Sequence, residues 1–79
     1  MASEAEIAEE AGRARALRLL ADTTAAELRQ ADLERAEAEA LVAATRRRAL
    51  GLFPGREGAF DLILAPRFAR IIEERFGRR

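Results

Sequence analysis

The sequence predicts an all-α protein: a long Ala-rich helical hairpin, or one continuous long helix, followed by two short C-terminal helices broken at Pro66. Three observations carry that expectation. A helix-start signature opens the chain at Ser3. Small and apolar residues recur at heptad spacing from Ile7 onward. An apolar stripe with a four-residue period runs from Phe60 to Phe76.

The first helix is expected over residues 4–21. Ser3-Glu4-Ala5-Glu6 reads as a capping box, in which the Ser3 hydroxyl accepts the Glu6 backbone N–H and the Glu6 carboxylate reaches back to Ser3. Glu4, Glu6, Glu9 and Glu10 then lie toward the positive end of the helix dipole, which they stabilise. Gly12 costs this helix about 1 kcal/mol relative to alanine.

Asp22-Thr23-Thr24 can be read two ways. Thr24 followed by Glu27 forms a second capping box, which predicts a turn and a new helix over 25–50. Against a turn, no Gly or Pro supplies a left-handed exit. The series Ile7, Ala14, Ala21, Leu28 and the series Leu17, Thr24, Ala31, Ala38, Thr45, Leu52 both hold one heptad phase through the point in question. The hairpin is the preferred reading, since a second capping box falls on the one polar interruption. A continuous rod, which would pair with another chain as a coiled coil, is the alternative.

Phe53-Pro54-Gly55 with Gly58 is the clearest break in the chain. Beyond it Phe60, Leu64, Phe68, Ile72 and Phe76 recur every four residues, the mark of an apolar helical face. Pro66 would remove a hydrogen bond and clash with the Leu62 carbonyl inside a helix. Two short helices, 57–64 and 66–76, are therefore expected, with a kink or break between them and Gly77 closing the second. Residues 1–79 make a single small helical domain.

Composition narrows function by exclusion. Cys, His, Tyr, Trp, Asn and Lys are all absent, and all fourteen basic residues are arginine. No thiolate, imidazole or amine is available as nucleophile, general base or transition-metal ligand. A non-enzyme without cofactor or metal is expected. Arginine suits phosphate and carboxylate recognition, although GC-rich coding gives the same bias. No apolar run approaches the roughly 20 residues of a membrane span. The acidic start lacks the basic and apolar regions of a signal peptide, so a cytoplasmic location is expected.

The formal net charge of zero conceals two opposed halves. Residues 1–40 hold ten acids and five arginines, whereas residues 41–79 hold four acids, nine arginines and all four phenylalanines. Residues 50–76 also carry eleven large apolar side chains, more than two short helices can bury against each other. This surplus predicts a homodimer, a larger homo-oligomer or a protein partner.

The expected partner-binding surface is the stripe from Phe53 to Phe76, with Phe60, Leu64, Phe68 and Ile72 as anchors and Arg67 and Arg70 at the rim. The competing reading is a nucleic-acid-binding regulator using Arg46, Arg47, Arg48, Arg78 and Arg79. It is the less favoured one. Three consecutive helical residues spread over about 200° of circumference, and cations in a last turn also complement the helix dipole. The acid clusters Glu6/Glu9/Glu10, Glu34/Glu37 and Glu73/Glu74 read as solvated faces rather than metal sites. The C-terminal stripe reads as a core face more readily than as a membrane-lying one.

Overall fold

The computed structural model describes residues 1–77. Helix α1 runs Glu4–Gln30, helix α2 runs Arg35–Leu52, and a third arm spans 57–76. The arm consists of α3 (Glu57–Ala59), a π-helical turn (Phe60–Leu64) and α4 (Ala65–Phe76). No strand occurs among the described residues. The first two helices form an antiparallel hairpin, and the arm packs back along both, parallel to α1.

The N-terminal signature works as expected. Ser3 Oγ accepts the Glu6 N–H at 3.2 Å, and the Glu6 carboxylate accepts the Ser3 N–H at 3.1 Å. The bond from the Ser3 backbone is the main reason the Glu6 carboxyl lies below its ordinary range.

The expected turn at residues 22–24 does not exist. Helix α1 continues unbroken to Gln30, and the hairpin turns at 31–34 instead. Thr24 is no cap: it is 2% exposed, and its hydroxyl meets the Thr45 hydroxyl of α2 at 2.8 Å. A threonine that finds its partner across the core does not interrupt its own helix. The rod alternative fails as well, because the chain does reverse.

The true turn carries neither Gly nor Pro. Ala31 leaves α1 in extended backbone, with φ −70° and ψ 154°. The carbonyls left open there are taken from far along the chain: the Arg75 guanidinium donates to the Leu28 carbonyl at 2.8 Å and also to the Ala31 carbonyl. Arg35 returns the contact by donating to the Gly77 carbonyl. On the other side, the Glu34 N–H donates to the Glu37 carboxylate at 2.8 Å and opens α2.

Helix α2 ends at Leu52, slightly beyond the expected residue 50, and Gly51 lies inside it. Gly55, with φ 82°, makes the reversal into the arm, where a side chain would be strained.

The interruption expected at Pro66 is present as a change of helix type between joined pieces. The arm is one joined helical run, and the helix widens ahead of the proline instead of stopping. The Ala65 N–H reaches the Phe60 carbonyl, five residues back. This π turn removes the clash that the proline ring would have with a regular preceding turn. It also repairs the stripe. At about 3.6 residues per turn, a strict four-residue period winds off a face by about 160° between Phe60 and Phe76. A wide turn absorbs residues without adding rotation, so Phe60 and Phe68 meet with ring centroids 6.3 Å apart.

The core divides labour between the parts. The hairpin supplies small side chains, Ala21, Ala25, Ala38 and Ala49, together with Leu28. The arm supplies Phe60, Phe68, Ile71 and Ile72. Alanine on α1 and α2 permits close approach, and the bulky arm then fills the cleft they leave. The core ends short of the N-terminus: residues 1–11 are all exposed, and the molecule is 49 Å long but only 22 Å and 16 Å across.

Candidate interaction surface

Three of the four expected anchors are internal. Phe68 is fully buried, Phe60 is 5% exposed and Ile72 is 6% exposed. They fasten the arm to the hairpin and are not offered to a partner. The apolar surplus of residues 50–76 is thus largely satisfied within one chain, because the alanine-lined hairpin accepts it. Leu64 is half-buried, and Arg67 and Arg70 are exposed. Arg67 is tied to Asp22 of α1 at 3.6 Å.

What remains open is a groove of about 470 Å³ between α1 and the π turn. Leu17 and Ala21 form its α1 wall, Ala49 and Phe53 its floor, and Ile63 and Leu64 its opposite wall. Ala49 is the small residue of that floor, beside Leu50 and Phe53. The far wall is the widened turn that Pro66 demands, and it leaves Ile63 66% exposed. Arg18, Arg56 and Arg67 stand around this apolar lining. The Arg13 guanidinium lies over the Phe53 ring, 5.9 Å from its centroid. Four other large apolar side chains, Met1, Ile7, Leu19 and Leu62, are exposed but lie outside the groove.

Among the described residues the other candidate cations do not assemble. Arg46 forms a two-pronged pair with Asp61 of the π turn, at 2.9 Å and 3.1 Å. That hydrogen bond is the chief cause holding the Asp61 carboxyl below its ordinary range and pushing the Arg46 guanidinium further up. Arg47 and Arg48 are exposed, and Arg78 and Arg79 lie outside the described residues. Among the described residues no acidic cluster has the arrangement of a metal site, and no helix is long and apolar enough to cross a membrane.

Sequence reasoning missed Leu17, Arg18 and Ile63 as surface residues. Ile63 carried a signal: it is a large apolar side chain off the four-residue stripe, next to a proline that forces the helix to distort. Comparison with known protein families, curated proteins and solved structures finds nothing that matches this chain.

Proposed function

We propose that this chain is a small non-catalytic helical interaction module, self-assembling or protein-binding, that works through the groove between α1 and the π turn and acts in the cytoplasm. One observation carries the reading: an exposed apolar groove, with Ile63 at 66% exposure, bordered by Arg18, Arg56 and Arg67. Apolar centres with arginine nearby are the ordinary composition of protein interfaces. The shape fits a helix laid lengthwise, since two helical walls and a floor at Ala49 and Phe53 leave a trough. Without Cys, His, Tyr or Lys in the sequence, a carboxylate would have to serve as base or nucleophile there, and Asp22, the one acid of the groove, is paired with Arg67.

Light scattering of the wild type and Ile63→Asp at micromolar concentration and low salt tests the reading. Ile63 is exposed in the single chain, so the substitution spares the core while placing a charge in the groove. An assembly that falls to monomer in Ile63→Asp supports the groove as interface. A wild-type monomer would sink self-assembly, and an assembly untouched by Ile63→Asp would sink the groove. The nucleic-acid reading is disfavoured because Arg46 already belongs to Asp61. Its mark would be binding to DNA or RNA that weakens steeply with salt.

A further inference from the structure

We propose that the groove is filled by the protruding start of α1 from a second copy of the chain, lying antiparallel to the first α1 about a two-fold axis at Ala14, so that one contact fills both grooves. The proposal rests on the reading of the groove as an interface and names its occupant.

The first argument is continuity. Ile7, Ala14 and Ala21 are one heptad apart, so they drift by only about 20° per step around α1. Ala14 and Ala21 line the groove, whereas Ile7 is 58% exposed on the part of α1 that the core does not reach. The groove wall therefore continues past the end of the bundle as an uncovered apolar edge.

Charge is the second. The protruding segment holds Glu4, Glu6, Glu9 and Glu10 and no arginine before Arg13. The groove is flanked by Arg18, Arg56 and Arg67, and its one acid, Asp22, already faces Arg67. An acidic helix meets a basic trough, which favours this register over a parallel one.

Register supplies the third. With the axis at Ala14, Ile7 faces Ala21 of the second copy, Leu17 faces Ala11, and Glu10 faces Arg18. The Ile7 and Leu17 layers each set a large side chain against an alanine, and Ala14 meets its own copy on the axis, which lets the helices approach closely. A self-complementary contact of this kind closes on itself as a dimer and does not propagate.

The chain has no native cysteine, so Ala14→Cys introduces a unique thiol on the proposed axis. Air oxidation should convert Ala14→Cys to a disulfide-linked dimer at least about tenfold faster than Arg47→Cys, whose side chain is on the outer face of α2, because only thiols brought together meet the required geometry. A charge swap gives a second, independent readout. Glu10→Arg and Arg18→Glu should each weaken the dimer by about tenfold at low salt, and the double variant should recover most of that loss. Circular dichroism of each variant controls for folding. Equal oxidation rates for the two cysteines, or a double variant as weak as the singles combined, would overturn the proposal. If Ile63→Asp abolishes assembly while Ala14→Cys fails to cross-link, the groove is an interface with a different occupant. If Ile63→Asp leaves assembly intact, both readings fall.

Discussion

The Thr24–Thr45 contact offers the sharpest test of the hairpin, because it joins α1 to α2 at the point where the sequence suggested a turn. Both residues are 2% exposed and their hydroxyls lie 2.8 Å apart. Thr→Val at either position keeps the side-chain shape and exchanges the hydroxyl for a methyl. The surviving hydroxyl is then left in the core without its cross-helix partner. A buried polar group that loses its partner costs about 1–3 kcal/mol. A helical threonine can still turn to a carbonyl of its own preceding turn, which sets the expected loss near the low end, at about 1.5 kcal/mol for each single variant. Thr24→Val with Thr45→Val removes both hydroxyls and leaves two methyls in contact, so the pair should return to within about 1 kcal/mol of wild type. The coupling is therefore about 2 kcal/mol, well outside the additivity of independent sites. Urea unfolding followed by far-UV circular dichroism measures it, at one fixed protein concentration so that any assembly contributes equally. With a slope of about 1 kcal/mol per molar urea, each single variant should lower the midpoint by about 1.5 M. A double variant whose loss equals the sum of the singles would refute the contact.

Phe68→Ala should cost about 3–5 kcal/mol, much of the stability of a domain this size, whereas Ile63→Ala should fall within about 0.5 kcal/mol; thermal melts of both separate core from surface. Arg75→Met should speed amide exchange around residues 31–35, with a modest global loss of about 1 kcal/mol, because it frees the carbonyls of Leu28 and Ala31. The depressed Asp61 carboxyl adds stability above the ordinary carboxylate range and loses it as pH falls through its lowered value. Asp61→Asn should accordingly be less stable than wild type at neutral pH and equal to it in strong acid, as read from urea midpoints at the two conditions.

Helix class, the Ser3 cap and the Gly77 end were legible because each depends on residues within a turn of one another. The hairpin turn was not. Thr24-x-x-Glu27 satisfies a local capping pattern, yet Thr24 spends its hydroxyl on Thr45, a partner that only the folded chain supplies. The real turn at 31–34 has no Gly or Pro to announce it, and its open carbonyls depend on Arg75. Pro66 was read as a kink or break because a regular helix cannot hold it, whereas a widened turn can. That three of the expected anchors lie inside the single chain was hidden for a related reason. A stripe such as Phe60, Phe68 and Ile72 looks the same whether it meets a partner or its own hairpin, and only packing volume decides. The groove needs Leu17 and Ile63 side by side, a proximity no local pattern encodes.

The Arg75 contact also orders events during synthesis. Synthesis supplies the residues of α1, the 31–34 reversal and α2 before it supplies Arg75. Until then the carbonyls at the end of α1 face water, and the hairpin lacks the guanidinium that closes it. Arg75 belongs to the last turn of α4, so the hairpin gains that cation only once the whole arm has been made. Its alanine-rich faces expose little that is sticky during that interval, and the bulky residues of the arm arrive together with the cation that locks them in place.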